Sequence, residues 1–368
     1  MAEGSAIDTD SSRSNEPKMK MEGAGKGFDP KQADTQSTCI SVIMPVYNGT
    51  DFLPKSLPPL IDMMERGEVL EVIVVDDGST DGSDRVAQEM GARVLSSGGR
   101  LGPGGARNQA AELAQGNVLW FVDADVVVHA DAAQNLISGF DHPQIVAVFG
   151  SYDDHPPAQN FFSQYKNLIH HYYHQRANDE AHTFWSGCGA VRREPFLAQE
   201  GFDVERYKYP SIEDIELGHR LIKAGGRIRM LRNVQCTHLK IWRFGNLIHT
   251  EIFRRALPWS RLIVNSGERI PNDLNVGAAE QMRAVVAGIL LLSILVCLTG
   301  FVSPALLIFP VALMVFANKD LSMFLYRRGG FLFAIAALLY HQVYYLYSGS
   351  AFAWVICEKF SLKLLRRK

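Results

Sequence analysis

The sequence has few cysteines and little excess charge. Its five cysteines, spread over 368 residues, include no Cys-x-x-Cys pair, so their spacing indicates neither a disulfide framework nor a zinc site. We therefore expect five reduced thiols in a cytosolic or membrane setting. The formal net charge is −2 and the isoelectric point is about 6.6. Because this balance lacks the basic excess of nucleic-acid-binding proteins, we expect no nucleic-acid partner.

Two further absences divide the chain. Residues 1–38 contain almost no large apolar side chains and no apolar segment typical of a signal peptide, which predicts a disordered tail on the cytosolic side. Residues 284–318 contain no charged side chain, and residues 331–357 contain none apart from His341. These runs predict membrane-spanning helices, because a span needs about 20 apolar residues.

We expect spans at about 284–302, 303–318 and 331–357, since Ser303-Pro304 divides the first run. Residues 284–368 would then comprise these helices and a basic tail. Both flanks of the last run are basic, so the positive-inside rule leaves the number and orientation of crossings open. Residues 241–283 mix bulky apolar side chains with arginines, which predicts an amphipathic segment at the membrane interface.

Residues 39–240 alternate between strand-like and helix-like stretches, which predicts an α/β domain with a largely parallel sheet. Polar groups follow three of the predicted strands, and they read Tyr47-Asn48-Gly49, Asp76-Asp77-Gly78 and Asp123-Ala124-Asp125. Ligands bind at the carboxyl ends of the strands in open α/β sheets. The sequence therefore predicts a binding site at this edge.

The two aspartates of "FVDADV" end a strongly apolar run. In an extended strand, side chains two residues apart point the same way, so Asp123 and Asp125 are expected to face one point. Two carboxylates so placed suit Mg²⁺ or Mn²⁺, which commonly bind one or two carboxylates together with substrate phosphates. The alternative is an ordinary turn, in which aspartate is also common.

The stretch "RLGPGGARNQA" is a glycine-rich loop that leads into a predicted helix, a setting that can cradle phosphate. Arg107 stands where the dinucleotide fingerprint requires its last glycine, which argues against a nicotinamide oxidoreductase. Arg107 is instead a candidate phosphate contact.

Downstream, "YPSIEDIELGHRL" predicts a helix with Ser211 as its N-cap and Asp214 as the partner in a capping box. A second segment, residues 159–177, predicts a long amphipathic helix. Its three histidines, His170, His171 and His174, form no recognisable ligand set, and we expect them on a wet or interfacial helix face.

The motifs "PVYNG", "VVDDGSTD", "GPGGARN" and "FVDADV", in this order and at these spacings, resemble the family 2 glycosyltransferases with a GT-A fold. The resemblance covers roughly residues 40–240. It implies a Rossmann-like mixed α/β sheet, a nucleotide-sugar donor and a bound Mn²⁺ or Mg²⁺.

The resemblance also implies roles for individual residues. The donor nucleotide would be contacted by Pro45, Tyr47, Asp76, Asp77, Arg107 and Asp123. Metal ligands would be Asp123, Asp125 and, as in some relatives, His238. Asp214 would be the catalytic base, and the acceptor side would include Trp185, Gly187 and Glu213. For Trp185 a buried aromatic, for His238 an ordinary loop residue and for Asp214 simple helix capping remain alternatives.

One motif of the family is missing. The chain contains no Arg-Trp pair, whereas processive synthases of this family carry a (Q/R)xxRW motif after the base. This absence argues against processive synthesis. The resemblance and the apolar runs together lead us to expect a membrane-anchored inverting glycosyltransferase with its catalytic domain on the cytoplasmic face and a lipid or lipid-linked acceptor. A small polysaccharide synthase and a non-catalytic nucleotide-sugar-binding protein remain alternatives. A sugar nucleotidyltransferase would need a glycine-rich loop directly after the first strand, where the chain has "PVYNGTDF".

Overall fold

The computed structural model of the protein describes residues 38–267 and 274–365. The predicted disordered tail (residues 1–38) lies outside the described residues except for its last position. The last three residues of the basic tail also lie outside them.

Within the described residues, nine strands form one sheet in the order β3-β2-β1-β4-β8-β6-β9-β5, with β7 also paired to β9. The strands are β1 (Ile40–Val46), β2 (Glu71–Asp76), β3 (Arg93–Ser96), β4 (Val118–Val122), β5 (Val126–Val128), β6 (Ile145–Tyr152), β7 (Glu180–Ala181), β8 (Cys188–Arg192) and β9 (Arg227–His238). The three predicted strands that end in polar groups are present as β1, β2 and β4, with ends shifted by a few residues.

The sheet is mixed, as the resemblance implied, but the expectation of a largely parallel sheet is wrong. Strands β3, β2, β1 and β4 run parallel, and β6 runs parallel to β9. Strand β8 lies antiparallel between β4 and β6, and β5 and β7 are antiparallel to β9. The sequence of β8, "CGAVR", is rich in small residues and gives little strand signal, so its reversed insertion has no local signature.

Helices cover both faces of the sheet because successive strand residues point to opposite sides. Val42 and Met44 of β1 pack on one face with helices α1 (Leu53–Glu65), α2 (Ser83–Glu89) and α4 (Ala132–Ser138). Ile43 packs on the other face with α3 (Gly102–Leu113), α6 (Arg193–Ala198) and α7 (Glu213–Lys223). The two apolar layers hold the sheet in place, and the last residues of β1, β2 and β4 lie together at one of its edges.

Helix α5 (Phe161–Arg176) joins the sheet domain to the C-terminal helices. It packs against β6, and its Tyr165, Leu168 and Tyr172 pack against the last helix of the chain. The segment that follows the sheet domain is helical from residue 244 to 266. It contains α8 (Phe244–His249), a π-helical turn (Thr250–Ala256) and α9 (Leu257–Ser266).

The C-terminal part contains α10 (Ala278–Leu298), α11 (Ile308–Ala317) and α12 (Lys319–Leu365). The chain turns between α10 and α11 around Ser303, where the first apolar run was expected to divide. Helix α12 is much longer than the predicted span and is interrupted at Gly330, whose φ of +77° suits glycine. In the described residues, α10 and α12 are long and apolar enough to span a membrane.

Candidate active site

A cavity of about 750 Å³ lies at the carboxyl edge of β1, β2 and β4 and extends toward α5, the π-helical turn and α12. Almost all of the residues selected from the sequence line it. They are Pro45, Tyr47, Asp77, Arg107, Asp123, Asp125, Trp185, Gly187, Glu213, Asp214 and His238. The strand ends and the start of α7 therefore meet in one space, although their residues are as many as 193 positions apart in the sequence.

Asp77 organises the glycine-rich loop. This carboxylate is buried and accepts hydrogen bonds from Leu101 N at 2.8 Å, Gly102 N at 2.9 Å and Ser97 Oγ at 3.0 Å. Its backbone N–H donates to the carbonyl of Val46 at 2.8 Å, which ties the end of β2 to the end of β1. One side chain thus holds the loop over the strand ends.

Asp76 is separated from the cavity. Its Oδ1 accepts a hydrogen bond from Ser79 N at 3.1 Å, which closes the turn after β2, and its side chain does not line the cavity. The two neighbouring aspartates therefore differ, since Asp77 lines the cavity and Asp76 does not.

Tyr47 and Arg100 form an accessible pair at the mouth of the cavity. The Arg100 guanidinium carbon lies 3.2 Å from the centroid of the Tyr47 ring, and its Nε lies 4.0 Å from Asp77 Oδ2. Tyr47 is 42% exposed. A flat ring beside a cation and a carboxylate is a suitable surface for a nucleoside.

Asp123 and Asp125 lie in a tight turn, so the expectation of an extended strand is wrong at this point. The N–H of Val126 donates to the carbonyl of Asp123 at 3.0 Å, and the carbonyl of Asp125 accepts from Leu239 N at 2.8 Å. The chain turns here because β4 pairs with β1 and β8, whereas β5 pairs with β9. Both side chains still border the cavity.

The two carboxylates have different partners. Asp123 forms an ion pair with Arg107, and Asp125 Oδ2 lies 3.5 Å from His238 Nε2. Burial raises the pKa of Asp123, with Asp125 also raising it and Arg107 opposing. Burial alone would raise the pKa of Asp125 too, but the contact with His238 outweighs it and the pKa is lowered.

Arg107 is a buried cation at the centre of the site. Its side chain is 3% exposed, and its Nη1 lies 4.0 Å from Glu213 Oε1. Its Nε and Nη1 have no hydrogen-bond partner in the described part of the chain. Arg107 therefore links the acidic turn to the start of α7, and it borders the space where the sequence predicted a phosphate contact.

The donor set at this edge suits a divalent cation that a substrate completes. No group of three or more His, Cys, Asp and Glu side chains within residues 38–267 and 274–365 is arranged as a metal site. Asp125 and His238 lie together, with Asp123 two residues from Asp125. Magnesium-type ions often bind one or two carboxylates and take their other ligands from phosphates and water, so these residues fit such an ion.

The start of α7 differs from the predicted capping box. The N-cap residue is Ile212, and no side chain caps the helix, so the assignment of Ser211 as N-cap is wrong. The N–H of Ser211 donates to Glu213 Oε2 at 2.7 Å, and its Oγ donates to the carbonyl of Arg254 at 2.7 Å. The Ser211 hydroxyl therefore bonds Arg254, 43 positions along the chain, instead of capping the helix as the motif suggested.

Asp214 is oriented by Ser186, a residue that sequence reasoning missed. Asp214 Oδ2 accepts from Ser186 N at 3.0 Å and from Ser186 Oγ at 3.3 Å. The neighbouring Glu213 is buried, and burial together with Asp214 raises its pKa to about 7 against the opposing influence of Arg107. Asp214 remains partly accessible from the cavity.

Trp185 is half-buried and borders the cavity. The centroid of its ring lies 4.9 Å from the centroid of the Tyr152 ring and 4.7 Å from that of the His170 ring. A Cβ at Gly187 would lie only 2.6 Å from the Trp185 ring, so glycine at this position permits the indole to fold over the backbone. This placement keeps part of the Trp185 ring at the wall of the cavity.

The expectation of a wet or interfacial helix face is wrong for His171 and His174, whereas His170 is half-buried and lines the cavity. His171 and His174 are buried, and their Nδ1 atoms bond the carbonyls of Tyr152 at 2.8 Å and Gly150 at 3.1 Å. Burial lowers the pKa of His174 to about 4, which keeps its ring neutral. These residues pack α5 onto β6.

Residues 41–198 match the model of the family described as "Glycosyl transferase family 2". The chain carries a family 2 glycosyltransferase domain. The matched residues contain the strand-end aspartates, the glycine-rich loop and Trp185, so the site is built largely from the matched part. Glu213, Asp214 and His238 lie beyond it.

Two curated relatives match parts of this domain. The chain is 34% identical over 102 residues to Poly(ribitol-phosphate) beta-glucosyltransferase of Bacillus spizizenii, which covers 25% of this chain and 16% of that protein. It is 30% identical over 149 residues to Glycosyltransferase GlyA of Streptococcus pneumoniae, which covers 39% of this chain and 21% of that protein. The chain therefore matches less than a quarter of the length of either relative.

A solved structure is similar over a larger part of the chain. This is the mannosyltransferase PcManGT from Pyrobaculum calidifontis in complex with GDP-Man and Mn²⁺, with a TM-score of 0.56 and 18% identity over 89% of each chain. At this identity the likeness shows the fold alone. The family 2 domain has a GT-A fold. The structural similarity covers 89% of the chain, which is more than the sheet domain, so it extends into the C-terminal helices.

Proposed function

We propose that the chain is a membrane-anchored, inverting glycosyltransferase that moves a sugar from a UDP- or GDP-sugar to a lipid or lipid-linked acceptor. The observation that carries this proposal is a single cavity. It joins the Asp77 loop, the Asp123–Asp125 turn and Asp214, and it continues between helices that include α12.

In this proposal the donor nucleotide lies over the ends of β1 and β2. Pro45, Tyr47 and Asp77 border that part of the cavity, and Arg100 stacks on Tyr47 beside them. The family resemblance and the GDP-Man complex of the similar mannosyltransferase support a nucleotide-sugar donor. Asp76 takes the lesser role of supporting the turn after β2.

Asp123, Asp125 and His238 would hold a divalent cation, Mn²⁺ or Mg²⁺, beside the donor pyrophosphate. When bound, such an ion neutralises charge that develops on the departing nucleoside diphosphate. The contact between Asp125 and His238 at 3.5 Å and the lowered pKa of Asp125 keep one carboxylate ready to bind a cation. The Mn²⁺ in the similar mannosyltransferase structure supports this choice.

Asp214 is the proposed base for a single displacement. The acceptor hydroxyl gives its proton to Asp214, and the acceptor oxygen forms a bond to the anomeric carbon. The bond from that carbon to the nucleoside diphosphate breaks, and the diphosphate leaves with the electron pair. Ser186 donates two hydrogen bonds to Asp214 Oδ2 and so fixes the carboxylate at the cavity.

The membrane part of the proposal rests on α10 and α12. Both are long and apolar enough to span a membrane, and large apolar side chains such as Leu292 and Leu332 are exposed on them. The arginines of the segment from α8 to α9 follow the catalytic domain directly, and basic residues favour the cytoplasmic side.

Cys39 provides a test of this orientation because it is exposed on the catalytic domain. In a Cys297→Ser, Cys357→Ser background, a membrane-impermeant maleimide should label Cys39 only after cells are permeabilised. Equal labelling of intact cells would place the domain outside and reject the cytoplasmic assignment.

The activity test uses the purified full chain with Mn²⁺, a panel of UDP- and GDP-sugars and a membrane lipid extract. We expect nucleoside diphosphate release from one donor, dependent on lipid. Asp214→Asn should lower turnover about 10²- to 10⁴-fold while donor affinity changes little, because a general base contributes about that much. Asp125→Ala should lose the stimulation by Mn²⁺.

Asp84→Asn is the matched control, since Asp84 is exposed on α2 and away from the cavity. Donor binding with no turnover on any acceptor would favour a nucleotide-sugar-binding protein. Long glycan products would favour the polysaccharide synthase. Full activity of Asp214→Asn would reject Asp214 as the base.

A further inference from the structure

The cavity has a second arm that the proposed donor site does not use. Past Asp214, it is lined by Lys166 of α5, by Glu251 and Arg255 of the π-helical turn, and by aromatic residues of α12. The donor end is lined by the ends of β1 and β2 instead. The two arms therefore present different surroundings to a ligand.

Three charged side chains meet in this arm. Lys166 Nζ lies 2.8 Å from Glu251 Oε1, and Arg255 Nε lies 3.5 Å from the same oxygen. The hydroxyl of Tyr347 donates to Glu251 Oε2 at 3.5 Å. Two cations thus share one carboxylate, so the cluster carries a net positive charge.

Arg255 has unused donors. Its side chain is 44% accessible although protein surrounds it, as expected for a group that borders a cavity. Its Nη groups have no hydrogen-bond acceptor in the described part of the chain. Glu251 stays ionised, because Lys166 and Arg255 lower its pKa more than burial raises it. A surplus cation among largely apolar walls favours an anionic ligand.

The backbone that carries Glu251 and Arg255 is unusual. Residues Thr250–Ala256 form a π-helical turn, a rare geometry that often occurs at functional sites. Pro258 has no N–H for the carbonyl of Arg254, and Ser211 Oγ donates to that carbonyl instead. This bond ties the π-helical turn to the segment that leads into Asp214, so the cation cluster is held relative to the proposed base.

The walls around the cluster are apolar and aromatic. Trp259, Ile263, Tyr340, Tyr344 and Phe352 line this arm, and the exposed apolar surfaces of α10 and α12 lie in the same C-terminal part of the chain. A ligand with an anionic head and a hydrocarbon chain matches both features. Guanidinium and ammonium groups together suit phosphate oxygens in particular.

We propose that Lys166 and Arg255 bind a phosphate group of an amphiphilic acceptor, whose hydrocarbon chain lies along the apolar wall of the second arm. This inference rests on the proposed function, since it names the chemistry of the acceptor. The donor phosphates occupy the other end, beside Asp123 and Asp125. Lys166 and Arg255 are positioning residues that hold the acceptor near Asp214.

The test measures binding to the purified full chain in a neutral detergent, with octyl phosphate, octanol and inorganic phosphate as probes. Trp185, Trp242 and Trp259 line the cavity, so intrinsic fluorescence reports binding. Octyl phosphate should bind about ten- to hundredfold more tightly than octanol, the range expected for hydrogen bonds to a charged group. Inorganic phosphate should bind more weakly than octyl phosphate.

Lys166→Met and Arg255→Met should each remove most of the preference for octyl phosphate, and Arg255→Lys should keep part of it. Arg261→Met is the matched control, because Arg261 pairs with the exposed Glu358 at 3.3 Å. UDP and GDP binding, measured on every variant, reports an intact fold. A variant that is less heat-stable but keeps the full preference would show a merely structural cluster and overturn the proposal.

Equal affinity for octyl phosphate and octanol in the wild type would also overturn the proposal. If inorganic phosphate binds as tightly as octyl phosphate, the hydrocarbon chain contributes nothing. That result would overturn the proposed amphiphilic ligand and indicate a soluble phosphate compound. No step of the test needs turnover. If the protein prefers octyl phosphate but cleaves no donor, the proposed function is rejected and this inference is not. If it cleaves a donor but shows no preference for octyl phosphate, this inference is rejected and the proposed function is not.

Discussion

Glu213 and Asp214 are neighbours in the sequence, but the fold gives them different surroundings. Asp214 accepts hydrogen bonds from Ser186 and faces the cavity, whereas Glu213 is buried near Arg107. Burial raises the pKa of Glu213 to about 7. The two acids therefore differ in character: Asp214, the proposed base, is accessible from the cavity, and Glu213 is a buried acid with a raised pKa.

The raised pKa of Glu213 predicts a pH dependence of stability. Between about pH 4.5 and 7 the unfolded chain ionises at this residue while the folded chain stays protonated, so rising pH favours the unfolded state. The free energy of unfolding should fall across this window by at most about 3 kcal/mol through this group, and change little above it. Glu213→Gln should lack this fall.

Thermal unfolding of both proteins from pH 4.5 to 8, with EDTA and without nucleotide, measures the difference. Glu205→Gln, a change at an exposed glutamate nearby, should follow the wild type. Parallel curves for wild type and Glu213→Gln would show that Glu213 titrates normally.

Other single-residue contacts had no signal in the sequence. Arg107 was selected as a phosphate contact, yet its nearest charges are Asp123 and Glu213, which lie 16 and 106 positions away in the chain. Ser186 was not selected, because a serine between Trp185 and Gly187 has no pattern that identifies a carboxylate partner. Such pairs depend on the tertiary arrangement, which local periodicity does not encode.

At the scale of secondary-structure elements, the strands that carry the site were predictable. β1, β2 and β4 are apolar runs that end in polar residues, and parallel strands bring such ends to one edge. The sequence offered the turn at Asp123–Asp125 only as an alternative and gave no sign of the antiparallel β8, because both follow from where β5 and β8 pair. The uncapped start of α7 also depends on a distant partner, since the Ser211 Oγ bonds the carbonyl of Arg254 instead of capping its own helix.

The glycine-rich loop depends on Asp77, which predicts a difference between two adjacent aspartates. Asp77→Asn should weaken UDP or GDP binding about ten- to hundredfold, because an amide cannot accept all three hydrogen bonds that hold the loop. Asp76→Asn should change the affinity by less than about threefold, since an amide oxygen can still accept from Ser79 N. Nucleotide titrations of the purified variants make the comparison.

Similar losses of nucleotide affinity in both variants would show that the hydrogen bonds to the loop do not make Asp77 more important for binding than Asp76. A normal affinity in Asp77→Asn would mean that the loop holds its position without this carboxylate. Either result would remove the structural reason for assigning Asp77, and not Asp76, to the nucleotide site.

At the scale of the whole molecule, the catalytic domain and the apolar helices are joined by buried polar contacts. Glu280 of α10 accepts from Tyr173 of α5 at 2.8 Å and from Tyr345 of α12 at 2.7 Å, and it pairs with Arg283. The GT-A domain and the helices thus share a polar junction as well as the apolar packing of α5 on α12. Such a junction keeps the cavity, which both parts line, in one shape.

This junction predicts unequal costs for two glutamates that each pair with an arginine. Glu280→Ala should lower the free energy of unfolding by about 3–5 kcal/mol, because it removes the buried carboxylate that pairs with Arg283 and accepts from two tyrosine hydroxyls. Glu358→Ala should cost about 0–1 kcal/mol, because its pair with Arg261 is exposed. Thermal unfolding in detergent compares the two variants with the wild type.

Nucleotide binding and lipid-dependent turnover, measured on the same samples, separate the two parts of the molecule. If Glu280 joins them, Glu280→Ala should keep UDP or GDP binding at the strand ends below its lowered melting temperature and lose lipid-dependent turnover. This pattern is expected because only the second arm of the cavity requires α12 in place. Equal melting temperatures for the two variants, or loss of nucleotide binding together with turnover, would mean that the junction does not set the position of the helices.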